Sequence, residues 1–215
     1  FKNLVQAIKY GYASTFSRSA KNYIEATGNR IEEEKMGVIL QEVVGNRYGN
    51  YYYPQISGVA RSFNYYPFGK AKPKDGVVNL ALGLGKTIVE GEKSLQYSPA
   101  YPKVYPQFGS TKDYFNKSQT KFWALDIASE LAQKKPGEDQ YLAKLGISDA
   151  EKHKTLNYIA STYSAQNDML YQGVMRQGPR VITYAPILKS NIVPLNEVVK
   201  LLLRISEAAM NSPVE

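Results

Sequence analysis

Gln41 and Glu42 stand inside MGVILQEVVG, a run in which Val38, Ile39, Leu40, Val43 and Val44 read as one buried strand. A polar pair in such a strand has to find hydrogen-bond partners. One reading is an ordinary strand edge where burial ends. The other is a hinge for an adenine ring, in which a backbone carbonyl accepts from the amino group and a nearby amide donates to the ring. That chemistry needs backbone and no particular side chain.

A second constellation is LALGLGKTIVEG, where Gly83 and Gly85 let the chain turn sharply after an apolar strand and leave amides facing an anion. Strand, glycine turn and short helix is the order in which backbone approaches phosphate. It is neither a P-loop nor a full dinucleotide fingerprint: Lys86–Thr87 resembles the end of a P-loop, but Asn79–Leu80 stands where the first glycine is required. Carboxylates that could serve magnesium are Glu42, Asp75, Glu90 and Asp126, and spacing alone brings no two of them together. No metal ligand is assigned. His153, the single histidine, lies between Lys152 and Lys154 on an expected exposed helix and reads as a solvated side chain. With no cysteine, thiolate chemistry and Cys/His metal sites are excluded within the chain. The 18 tyrosines, clustered at Tyr51–Tyr53, Tyr65–Tyr66 and Tyr97 to Tyr105, suit aromatic sheet packing first and stacking on a sugar or base second.

The elements that must position these residues follow from periodicity. Leu4, Ile8 and Tyr12, then Phe16, Ala20 and Tyr23–Ile24, predict two helices broken near Gly11 to Ser14 and ended by Gly28. YYYPQISGVARSFNYYPFG predicts strand, turn, strand; KAKPKDG a polar turn; GVVNLALGLG a strand; and KTIVEG the start of a short helix. Residues 92 to 122 predict an irregular connection with short strands, among them QTKFWALDI at Gln119 to Ile127. Ser148 and Glu151 form a capping box for a helix with Leu156, Ile159, Ala160 and Tyr163 on one face. GPRVITYAPIL predicts a buried strand, and Pro194 opens an amphipathic helix with Leu195, Val198, Val199, Leu202 and Ile205. The expected class is mixed α+β, with a mainly antiparallel sheet packed against helices.

A length of 215 residues, with 43% hydrophobic and 21% charged, is that of a chain able to bury a core. No apolar stretch approaches a bilayer span, and FKNLVQAIKYGY has no secretory h-region. The absence of an initial methionine reads as a processed or excised piece, and the cytoplasm is the expected compartment. The formal net charge of +8 attracts anions in general, yet the basic residues make no continuous stripe, which argues against nucleic acid.

Four of these segments, taken in order, resemble the ATP-grasp nucleotide-binding part of phosphoenolpyruvate synthases and pyruvate phosphate dikinases. SRSAKNYIEATG, MGVILQEVV, GVARSFNYYP and LGLGKTIVEG match the family's tyrosine-containing helix end, its M-x-V-x-x-Q-x-x-V strand, its G-x-x-F-T-x-x-P hairpin and its G-L-G-E turn. The match covers Ser17 to Gly91 and loosens beyond. Asn64 replaces the threonine of the hairpin, Arg61–Ser62 is an insertion, and Lys86 replaces the glutamate of the turn.

The resemblance implies an internal fragment of an enzyme that passes phosphate from ATP to a histidine and then to pyruvate, with magnesium in the full-length parent. It places Gln41, Glu42, Val43 and Val44 at adenine and ribose, and Gly83 and Gly85 near the phosphates. It implies that later strands supply the remaining phosphate-binding groups, so the piece alone is expected to be inactive, and it allows a homodimer. The expected organisation is a nucleotide-binding portion at 1–91, a connection at 92–147 and a helix–strand–helix portion at 148–215. A sugar-binding module using the tyrosines and a repurposed, non-catalytic ATP-grasp domain are the alternatives.

Overall fold

The computed structural model describes residues 2–27, 37–128 and 141–210. They fall into two compact units, residues 2–27 with 37–43 and residues 44–128 with 141–210.

The smaller unit contains the two expected helices, α1 (Lys2–Ser14) and α2 (Arg18–Thr27). The break between them falls at residues 15–17, past the expected Gly11 to Ser14, and has a local cause. Ser14 Oγ turns back onto the Gly11 carbonyl at 2.6 Å, and Ser17 Oγ accepts from the Ala20 amide at 3.2 Å as the cap of α2. The half-buried face of α1 runs through Val5, Ile8 and Gly11, while Leu4 and Tyr12 are exposed. Gly28, the expected terminator, lies outside the described residues.

The predicted buried strand at 38–44 is not formed. Residues 37–44 have no regular structure and all are exposed, Ile39 at 91% and Val44 at 78%. Apolar and β-branched composition favours a strand only where neighbouring strands receive it, and the first ladder begins at Asn46. Gly45, just before it, passes so close to the next strand that a Cβ there would sit 2.7 Å from the Tyr53 carbonyl carbon.

In chain order the larger unit contains β1 (Asn46–Tyr48), β2 (Tyr51–Tyr53), β3 (Ser57–Arg61), β4 (Val77–Ala81), α3 (Lys86–Val89) and β5 (Leu95–Tyr97). It continues with α4 (Thr111–Lys117), β6 (Lys121–Asp126), β7 (Leu142–Gly146), α5 (Ile147–Lys152) and β8 (Ala160–Ser164). It closes with β9 (Met169–Gln172), β10 (Arg180–Ile182), α6 (Ala185–Leu188) and α7 (Leu195–Met210). Three sheets result, ordered β1-β2-β6-β7, β3-β4-β5 and β10-β8-β9, and every pairing is antiparallel. The α+β class read from the sequence is the class observed.

One apolar cluster joins the sheets, with Tyr53, Val78, Leu80, Leu82, Tyr97, Phe122, Ile159 and Tyr184 among its members. Tyr53, Tyr97 and Tyr184 are among the largest fully buried side chains. Part of the tyrosine content is therefore core packing, whereas Tyr65 and Tyr66 stand exposed.

Several elements differ from expectation. The hairpin stops at Arg61, and residues 62–72 form a loop closed by the single helical turn Pro73–Asp75. Helix α4 has no apolar periodicity to announce it and depends on its cap, in which Ser110 Oγ accepts from the Asp113 amide at 3.2 Å.

The capping box at Ser148 is also displaced. α5 begins at Ile147, and Asp149 Oδ2 accepts from the Gly146 amide at 3.1 Å. Glu151 instead accepts from Arg180 Nε at 2.7 Å. The helix ends at Lys152, and Lys154 takes a φ of +58°. Tyr163 therefore lies on β8, not on a helical face, and Ala160 to Ser164 are held between β9 and β10. GPRVITYAPIL divides into β10 and α6 at Tyr184, whose φ is +51°. α7 begins directly after Pro194, as expected, but buries Val199 while leaving Val198, Leu202 and Ile205 exposed.

Candidate functional site

In the glycine turn the amides of Leu82, Gly83 and Leu84 are all engaged. Leu82 follows β4, past its ladders with β3 and β5, and is fully buried where its backbone still needs a partner. Gln119 takes that place: its Oε1 accepts from the Leu82 amide at 2.8 Å, and its Nε2 donates to the Leu82 carbonyl at 2.9 Å and to the Lys121 carbonyl at 3.0 Å. The Gly83 amide donates to the Pro54 carbonyl at 3.2 Å, and the Leu84 amide to the Trp123 carbonyl at 2.8 Å.

The two glycines differ in kind. Gly83 has a φ of +83°, and a Cβ on it would lie 2.5 Å from the Trp123 carbonyl oxygen, so both conformation and space require glycine. Gly85 has a φ of −59°, no neighbour within 4 Å of where a Cβ would stand, and a carbonyl that accepts from the amides of Ile88 and Val89 in α3. Gly83 shapes the turn with its amide already engaged; Gly85 faces open space.

Lys86, the departure from the glutamate of the family motif, heads α3. It pairs with Glu90 at 2.7 Å and stands 5.4 Å from the centre of the Trp123 ring. Lys144 of β7 lies 4.7 Å from the same ring and pairs with Glu92, which also accepts from Trp123 Nε1 at 3.3 Å. Two cations on one indole, each with its own carboxylate, make a mixed-charge platform beside the turn. Asn64, the other departure, is buried and fixes its loop: its Oδ1 accepts from the Tyr66 amide at 3.0 Å, and its backbone N–H donates to the Pro73 carbonyl at 2.8 Å.

Gln41, Glu42 and Val43 belong to the smaller unit and Val44 to the larger, and all four are solvent-exposed. The remaining carboxylates considered for magnesium serve local structure. Asp75 accepts from the Lys72 amide at 2.7 Å, Asp126 from the Ala128 amide at 3.0 Å, and Glu90 from Lys86. Among the described residues no group of three His, Asp or Glu side chains is placed to hold a metal ion.

Two features were not read from the sequence. Gln119 carries no motif; its only signal is a glutamine beside an apolar strand, a polar group that burial obliges to find partners. His153 is not the solvated side chain expected: it is half-buried at the end of α5 and stacks on Tyr48 with ring centres 5.5 Å apart.

The class the structure defines is mixed α+β, with antiparallel sheets and a strand that leads into a tight glycine turn and a short helix. The chain belongs to the family described as pyruvate phosphate dikinase, AMP/ATP-binding domain, whose model matches residues 1–212. Comparison with curated proteins and with solved structures found no match. No helix among the described residues is long and apolar enough to cross a membrane.

Proposed function

We propose that this chain is the ATP-binding part of a phosphotransferase similar to phosphoenolpyruvate synthase, one that moves phosphate from ATP through a histidine to pyruvate in the cytoplasm. The family match over residues 1–212 carries this reading. In it, the exposed backbone of Gln41, Glu42, Val43 and Val44 reads adenine and ribose. Gly85, open on its Cα side, lets phosphate oxygens approach the start of α3, and Gly83 holds the turn in shape.

No three described acidic or histidine side chains are grouped to hold a metal ion, and magnesium in this reading would come with the nucleotide phosphates. The chain's own contribution is to bind and orient the nucleotide, which in phosphoryl transfer is the greater part of what a protein supplies. Lys86 and Asn64 at two motif positions favour, as a second reading, a domain that binds nucleotide without performing the standard reaction.

Calorimetric titration with ATP and AMP tests the proposal. Both nucleotides are expected to bind, and Val44→Pro, which removes one exposed amide donor, is expected to weaken both about tenfold, the scale of one lost hydrogen bond to a bound ligand. Absence of binding by either nucleotide overturns it.

A further inference from the structure

The larger unit contains a cavity of about 160 Å³ that none of Gln41 to Val44 and neither glycine of the turn lines. Its walls come from the loop after β3, from the first residue of β4 and from β5 with the segment that follows it. They include Asn64, Tyr66, Phe68, Tyr97, Ser98 and Tyr101. We infer that this cavity is a binding site for a neutral, hydroxylated six-membered ring, that is, for a sugar.

Three observations point there. First, none of the twelve lining residues is charged, in a chain whose net charge is +8. Lys70, Lys72 and Lys103 adjoin lining residues in sequence, yet none of them lines the cavity and all are exposed. A charged group placed against these walls would lose hydration without compensation, so the part of the ligand held there is uncharged. The volume suits a single ring.

Second, Asn64 and Gln96, both amide residues, line the cavity. Amides donate and accept alike, which is what sugar hydroxyls require. Third, Tyr66, Phe68 and Tyr101 are exposed aromatic residues at the same cavity, and aromatic rings with a polar tip suit ligands that are apolar on one face and wet on the edge. The wall is also fixed in advance: Asn64 bonds the Tyr66 amide at 3.0 Å and the Pro73 carbonyl at 2.8 Å. The residue that departs from the hairpin motif is thus part of the cavity.

The test is a calorimetric and ligand-observed NMR titration with neutral mono- and oligosaccharides, with adenosine and AMP as competitors. At least one sugar is expected to bind, with an affinity that changes less than about twofold between low and high salt, because no charge pair is screened. Phe68→Ala and Tyr101→Ala are each expected to weaken sugar binding at least tenfold while thermal stability and nucleotide binding stay unchanged, since both side chains are exposed. The inference is overturned if no sugar binds, if binding survives both substitutions, if affinity collapses with salt, or if adenosine or AMP displaces the sugar. Nucleotide binding is read separately, so the sugar site and the nucleotide site can fail independently.

Discussion

The hydroxyl of Tyr53 lies 2.9 Å from Nδ1 of His153, joining the end of β2 to the end of α5. The phenol is fully buried, lies 3.4 Å from Thr155 Oγ1, and packs its ring on Phe122. The histidine therefore serves as a structural anchor, held by a tyrosine on its edge and another on its face.

Removing that hydroxyl with Tyr53→Phe is expected to destabilise the protein by about 1 kcal/mol, the net contribution of one buried hydrogen bond. Tyr53→Ala is expected to cost roughly 3–5 kcal/mol through loss of the ring. Denaturant unfolding measures both. A double-mutant cycle of Tyr53→Phe with His153→Phe should return a coupling of at least about 0.5 kcal/mol; additive effects would show that the bond contributes nothing.

Burial pushes the phenols of Tyr53 and Tyr97 up from 10.0 to about 12, and in Tyr97 the nearby charge of Glu197 adds to the effect. Tyr105 and Tyr184 are raised by burial in the same direction. Above pH 10 the unfolded chain releases phenolic protons that the folded chain keeps. Stability that is intact below pH 10 should therefore fall as pH rises toward 12. Unfolding midpoints between pH 9 and pH 12, followed together with tyrosinate absorbance, check this; ionisation of the full complement of tyrosines by about pH 10 with the fold intact would contradict it.

Gln119→Ala strips the Leu82 amide and carbonyl of their partner in a buried place. A loss of about 2–4 kcal/mol is expected, two orphaned groups at the lower end of the usual penalty. Thermal unfolding reads it. If the glycine turn depends on this side chain, nucleotide affinity should fall along with stability.

The two glycines should respond in opposite ways. Gly83→Ala forces a Cβ into the Trp123 carbonyl and a strained φ, for an expected loss of more than about 2 kcal/mol. Gly85→Ala enters open space at an ordinary φ and should leave stability unchanged or raise it by about 0.4–1 kcal/mol. If phosphate approaches at Gly85, that variant should still lose ATP affinity, which calorimetry on the folded variant would show directly.

The legible parts of this molecule were those whose signal is local. Pro194 and the spacing after it marked α7, and the apolar run ending at Gly83 marked β4 and its turn. The run at 38–44 misled because its composition describes a strand while pairing is a property of neighbours, and the first ladder starts beyond Gly45. Leu156, Ile159 and Ala160 are buried as their helical spacing suggested, but on a turn and a strand. Short apolar runs satisfy both periods, and the positive φ of Lys154 settled the matter against the helix. In the candidate site, the resemblance identified Asn64 and Lys86 as departures. That one lines a cavity and the other shares an indole with Lys144 depends on residues distant in the chain, which no local signal brings together.

The sheet containing β2 and β6 has a consequence for the order in which the chain assembles. Most ladders join strands close in sequence, but β2 pairs with β6 at Tyr51 with Asp126 and Tyr52 with Leu125, across the whole of the intervening β3-β4-β5 sheet. Closing so long a loop for two residue pairs carries an entropy penalty that the contact itself repays late. The seam between Tyr52 and Leu125 is therefore expected to form after the local hairpins, so substitutions there should quicken unfolding far more than they slow folding.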